Sequence, residues 1–275
     1  MSDVKEIEPN KMLLIGIVGG LLGIYLTYIL PALGMKIGGN VAEVLNVIAP
    51  TFGAFGGICA VIWGADAVRR VSKYGLGTGV PSIGQIAMGM GIVASMFGIA
   101  IVSDFPLAGP VVALLTASII GLIIGWFAQN VIKMKIPVMV RGMTEIAAAG
   151  SLIILGFGVA VAGNFQFETF VKMVFDDGLI LAVFWIGAVA ILHPFNATLG
   201  PDEKQKRTSY LAASTGAITM TIIGIGAIMT LGTSGAITMI LGIIIWVIFY
   251  KKFWDEVYKD ASSVVGTGLI PKTEA

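Results

Sequence analysis

The sequence predicts an all-α polytopic membrane protein, a single transmembrane domain over 1–275 with about eight transmembrane helices arranged as four helical hairpins and both termini cytoplasmic. Three observations predict it. Apolar residues (AVILMFWYC) make up 57% of the 275 residues and charged residues 12%, with a mean hydropathy of +0.95, whereas soluble domains carry about a quarter charged residues. The charges are clustered, leaving long runs without any. Those runs approach the length of about 20 apolar residues that a helix needs to cross a bilayer.

The elements follow in order. Run one, 12–30, is bounded by Pro31, which disfavours helix in its neighbour and in itself. Run two, 41–63, carries Pro50 as an expected kink and ends at Trp63. Runs three and four, 83–102 and 107–128, are separated by Asp104 and Pro106. Run five, 146–163, opens beside Glu145. The stretch 164–178 sets Phe165, Phe167, Phe170, Val174 and Phe175 among polar residues, as an amphipathic segment lying on the outer surface would. Run six, 179–195, is short and ends near the single histidine, His193. Runs seven and eight are 210–231 and 235–250. Trp63, Trp126, Trp185 and Trp246 recur at near-even intervals, each toward the end of the second helix of a hairpin, and a proline-bearing polar loop follows each. That spacing suggests internal repeats of the kind transporter bundles show.

Basic residues set the orientation. Of 17 lysines and arginines, only Lys36 and Lys172 fall on one side of this arrangement; the rest share the side of the termini. The positive-inside rule makes that side cytoplasmic. The first ten residues are polar and acidic, without the basic start of a cleaved signal peptide. The 37 glycines fall largely inside the apolar runs, as in Gly16-x-x-x-Gly20 and Gly53-x-x-x-Gly57, where small residues let helix backbones approach. One cysteine, Cys59, gives neither a disulfide framework nor a zinc cluster. A net charge of +1 argues against nucleic acid as a partner.

Chemistry concentrates in the stretch 63–82. It holds Asp66, Arg69, Arg70 and Lys73, then a loop of Gly75, Gly77, Gly79 and Pro81. Asp255 and the Gly266–Pro271 segment echo it near the end of the chain. Catalytic constellations, nucleotide loops and metal signatures are missing from the sequence. Ionisable residues within or beside spans are the better lead, because they are costly in a bilayer and mark pathways or pairs. Asp66 has Arg69 and Arg70 at i+3 and i+4, and Glu145 follows Arg141 at the same i+4 spacing. Each carboxylate is therefore either a local ion pair capping its span or a group at the inner mouth of a cation path. Asp104 and Glu43 lie at outer helix ends. Thr219, with Thr215 and Thr221, could offer hydroxyl oxygens to a hard cation, although such residues commonly bond back to the preceding turn. Arg69, Arg70 and Arg141 suit an anion, an acidic lipid or a docking partner.

Trp63-Gly-Ala-Asp-Ala-Val-Arg-Arg-Val and Tyr74-Gly-Leu-Gly-Thr-Gly-Val-Pro-Ser-Ile-Gly84 resemble the signature stretch of the C subunit of the tetrahydromethanopterin S-methyltransferase of methanogenic archaea. The resemblance implies a multi-subunit complex. Such a complex transfers a methyl group from methyl-tetrahydromethanopterin to coenzyme M through a corrinoid and couples the transfer to Na⁺ export. It implies that the corrinoid sits on a different protein, the A subunit, and that the C subunit lies with membrane subunits D and E along the sodium path. The sodium-binding carboxylate is then expected on a sister subunit, and this chain carries no catalysis and no cofactor of its own. A self-sufficient secondary transporter built from hairpin repeats is the alternative that the spacing alone allows.

Overall fold

The computed structural model describes residues 6–74, 80–172 and 204–261. Among these residues the secondary structure is helical throughout, and seven helices are long and apolar enough to cross a membrane. They are α1 (Pro9–Ile37), α2 (Gly39–Ser72), α3 (Val80–Ile101), α4 (Gly109–Asn130), α5 (Met139–Ala162), α7 (Gln205–Leu231) and α8 (Thr233–Ala261). A 3₁₀ turn at Pro106–Ala108 leads into α4, and a short helix, α6 (Phe167–Val171), follows α5. The fold is all-α and polytopic, as expected. Run six and His193, the glycine loop Gly75, Gly77 and Gly79, and the echo after Asp255 from Gly266 onward lie outside the described residues.

Several boundaries differ from the sequence expectation; α5 begins at Met139 and not at 146, and α7 at Gln205 and not at 210. Pro31 does not stop the first helix; α1 continues through it to Ile37. In lipid a chain that leaves the helix exposes unsatisfied peptide groups, so the helix tolerates the single missing donor. Likewise α2 does not end at Trp63 but runs on to Ser72. At 1.5 Å per residue its 34 residues extend about 51 Å, well beyond a hydrocarbon core of about 30 Å. Asp66, Arg69 and Arg70 are thus helical residues, not loop residues. Pro81 is the second residue of α3, a first-turn position that suits it. Finally α8 extends past Tyr250 to Ala261.

The helices pack as antiparallel pairs, α1 with α2, α3 with α4 and α7 with α8, around α5. Nearly all of α5 is buried, against α1, α2, α3, α4 and α7. Glycines make this possible. A Cβ on Gly156 would lie 2.7 Å from the Gly57 nitrogen and 2.8 Å from the Gly53 carbonyl oxygen, so α2 and α5 touch backbone to backbone there. Gly23 and Gly56 do the same for α1 and α2. Gly38 and Gly39, at φ of 75° and 61°, form the tight turn between those two helices. Pro50 lies inside α2. It leaves the Asn46 carbonyl without its usual helical donor, and Ser234 Oγ of α8 donates to that oxygen at 3.5 Å.

The far end of the bundle is aromatic. Tyr25 Oη donates to the Leu107 carbonyl at 2.7 Å. Phe165 is fully buried, with its ring centroid 4.7 Å from that of Tyr28 and 6.0 Å from that of Tyr25. The expected surface segment at 164–178 therefore begins as a plug between helices. Of that segment, 173–178 lie outside the described residues. Among the described residues, α5 ends at this aromatic end and α7 begins at the opposite one.

Candidate functional site

The end of α2 places four charged side chains on one face. Asp66, Arg69, Arg70 and Lys73 stand at i, i+3, i+4 and i+7, a spacing that stacks side chains along a helix. The first turns of α5 add Arg141 and Glu145, again one turn apart. The segment before α1 adds Glu6 and Ile7, α1 adds Asn10, and the first residue of α7 adds Gln205. All of them meet at the end of the bundle opposite Phe165.

Asp66 is 1% exposed and takes four hydrogen bonds. Its Oδ1 accepts from Arg69 Nε at 3.1 Å, Arg69 Nη2 at 3.0 Å and Gln205 Nε2 at 3.0 Å. Its Oδ2 accepts from Arg70 Nε at 3.0 Å. Glu145 is equally enclosed. Its Oε1 accepts from Arg141 Nε at 2.6 Å, and its Oε2 accepts from Trp63 Nε1 at 2.8 Å and from Arg70 Nη2. Arg70 thereby bridges the carboxylates of α2 and α5. Arg141 Nη2 reaches on to Asn10 Oδ1 at 2.8 Å. At the outer rim Glu6 grips Arg69 with both oxygens, Oε1 accepting from Nη1 at 2.9 Å and Oε2 from Nη2 at 3.2 Å, and also takes Lys73 Nζ at 3.1 Å. Burial pushes the Glu6 carboxyl up, but its hydrogen bonds from Arg69 and Lys73 prevail and hold it below the usual carboxylate range.

The cluster sets Glu6, Asp66 and Glu145 against Arg69, Arg70, Lys73 and Arg141. The balance favours the positive charges, so the corner as a whole attracts anions more than cations. Buried charges persist only when paired and hydrogen-bonded, and both buried carboxylates are bound by arginines. Among the described residues no three His, Cys, Asp or Glu side chains converge on a metal-sized space.

The other sequence candidates lie apart. Asp104 is exposed in the turn between α3 and the 3₁₀ segment. Thr219 is fully buried and its hydroxyl donates to the Thr215 carbonyl at 3.0 Å, the back-bonding that such residues commonly make. Arg69 is buried, Arg70 nearly so, and only Arg141, with 46% of its side chain exposed, presents a substantial free surface.

Glu6, Asn10, Gln205 and Trp63 were not legible as members of this cluster. The i+3 and i+4 spacings betray pairs within one helix, and these four act between helices. Trp63 in particular reads as an interfacial tryptophan; instead it is 1% exposed and its indole N–H is spent on Glu145.

The family model for the C subunit of tetrahydromethanopterin S-methyltransferase (MtrC) matches residues 2–274. Curated relatives that carry the name of this same C subunit include one from Methanosarcina barkeri, 48% identical over 97% of this chain and 93% of its own. Another, from Methanothermobacter thermautotrophicus, is 41% identical over 98% of this chain and 95% of its own. A third, from Methanocaldococcus jannaschii, is 38% identical over 98% and 96%.

Proposed function

Because the chain belongs to the family of the tetrahydromethanopterin S-methyltransferase C subunit, we propose that it is the wall, and not the ligand set, of a sodium path in that complex. In this reading the complex moves a methyl group from methyl-tetrahydromethanopterin to coenzyme M and exports Na⁺. This polytopic protein packs beside membrane subunits D and E, while the A subunit holds the corrinoid. The charged end of the bundle faces the cytoplasm and docks the soluble subunits. Methyl chemistry takes place elsewhere.

One observation carries the reading. Asp66 and Glu145, the buried carboxylates of the described helices, are both held by arginines at the charged end. A sodium ion would have to displace a guanidinium to reach either one. Such groups suit a latch that fixes the inner mouth, with the ion-binding carboxylate on a sister subunit. Thr219 and Asp104 are secondary candidates for the path wall, at the bundle interior and the aromatic end respectively.

The test is Asp66→Asn in the assembled complex, following methyl transfer to coenzyme M and ²²Na⁺ movement together across a range of Na⁺ concentrations. A latch predicts that both activities fall together and that extra Na⁺ does not restore them. Rescue by raised Na⁺ would place Asp66 among the ion's own ligands and overturn the reading.

A further inference from the structure

The rim of the charged cluster has the form of a peptide-recognition site filled by the chain's own end. Gln205 pairs with the backbone of Ile7 in both directions: Ile7 N–H donates to Oε1 at 2.6 Å and Nε2 donates to the Ile7 carbonyl at 2.9 Å. A primary amide that satisfies both backbone groups of one residue reproduces the pairing of an adjacent strand and reads an extended segment without regard to its side chains. The residue before it is read by charge. Glu6 places both oxygens on the outer edge of the Arg69 guanidinium, while Asp66 occupies the edge that includes Nε. Asp66 thus orients the arginine with its second edge facing out, and Lys73 stands beside that edge. A planar fork of this kind selects a carboxylate by geometry as well as by charge.

The occupant is held less firmly than its receptor. The Arg69 side chain is 1% exposed, that of Glu6 48% and that of Lys73 36%. Arg69 and Gln205 belong to long helices and Lys73 directly follows one, whereas Glu6 and Ile7 precede the first helix. We propose that the Gln205–Arg69–Lys73 corner is a binding site for an extended acidic peptide segment, occupied in cis by Glu6-Ile7 and open to an acidic segment of a protein partner that approaches the charged end. A tethered occupant acts at an effective concentration of about millimolar, so an incoming segment must outcompete it, and partner docking is coupled to release of the strap. The proposal rests on the reading that the charged end docks protein partners but not on the sodium path, and the titration that tests it involves neither methyl transfer nor ion movement.

The test uses the full-length chain in lipid nanodiscs and a fluorescent synthetic peptide copying residues 1–8. In Glu6→Gln chains the cis carboxylate is gone while the Ile7 backbone remains. These chains are expected to bind the peptide about tenfold more tightly than the unaltered chain. The same peptide with its own glutamate at position 6 changed to glutamine should lose that gain, as should a chain that also carries Lys73→Gln. Equal binding to both chains, or equal binding of both peptides, overturns the proposal. So does displacement by sodium sulfate, at matched ionic strength, as effective as that by unlabelled peptide, because the site would then hold any oxyanion. Should Glu6→Gln chains fail to fold, amide exchange at Ile7 of the unaltered chain decides: saturating unlabelled peptide accelerates it if the strap is displaced, and no change refutes the site.

Discussion

Glu145 and Arg141 share a hydrogen bond, yet the two residues face opposite consequences of mutation. Glu145 is buried and neutralises Arg70 while accepting the Trp63 indole. Glu145→Ala strands these partners and is expected to cost about 3–5 kcal/mol, the range for breaking a buried pair by removing one member. Arg141→Ala leaves Glu145 with two other donors and removes a half-exposed side chain, so it should cost no more than about 1 kcal/mol. Thermal unfolding in detergent measures both, and equal losses would show that the cluster does not act as a buried network. Glu6 gives a pH prediction. Its carboxyl is held below the usual range by Arg69, itself bound to Asp66, and by Lys73. The charged form therefore stabilises the strap at every pH above the usual carboxylate value, about 4.3, and that stabilisation fades only as pH falls through the lower, folded-state value. Ile7 amide exchange, corrected for the intrinsic rate, should stay constant from neutral pH down to about 4.3; loss of protection already near neutral pH would contradict this. At this scale the sequence revealed half of each interaction. Asp66 with Arg69 and Arg70, and Arg141 with Glu145, are visible as spacings. The bridges to Glu6, Trp63 and Gln205 are not, because no local spacing records which helices become neighbours.

Helix ends were the least legible elements, and the reason is the solvent. Proline breaks a helix through its missing N–H and its clash with the preceding turn, and water makes the break tolerable by satisfying the freed groups; in lipid the chain keeps its helix, and α1 runs through Pro31 as α2 runs through Pro50. The glycine-rich faces were legible as packing surfaces, and they divide the glycines by consequence. A Cβ on Gly23 would collide with the Phe52 carbonyl and lie 2.8 Å from the Gly56 nitrogen, whereas one on Gly89 would meet nothing within 4 Å. Gly23→Ala should therefore destabilise the α1–α2 pair by about 1–3 kcal/mol. Gly89→Ala should be neutral or stabilise by up to about 1 kcal/mol, because alanine is the better helix former. Melting curves of the two variants, side by side, check the contrast; a destabilised Gly89→Ala chain would show that α3 has a neighbour at that face.

Across the whole molecule, the charged and aromatic ends define two faces, and the basic-residue count over the expected runs predicts that the charged one is cytoplasmic. Lys36 is exposed at the aromatic end of α1 and Lys259 at the far end of α8. In a Cys59→Ser background, Lys36→Cys is expected to react with a membrane-impermeant maleimide only from outside the cell, and Lys259→Cys only from the cytoplasm. Labelling of both from one side would refute the orientation. The pairing of Ile7 with Gln205 joins residues 198 apart in the chain, and that separation is also an interval of time. A ribosome adding about 5–20 residues per second delivers Gln205 roughly 10–40 s after Ile7. From the synthesis of Arg69 until that of Gln205, the nascent protein lacks the amide that completes the network around Asp66. Until α7 is made, Glu6 and Ile7 have the side-chain bonds from Arg69 and Lys73 but not the two backbone bonds from Gln205, so α7 closes the fastening that α2 begins.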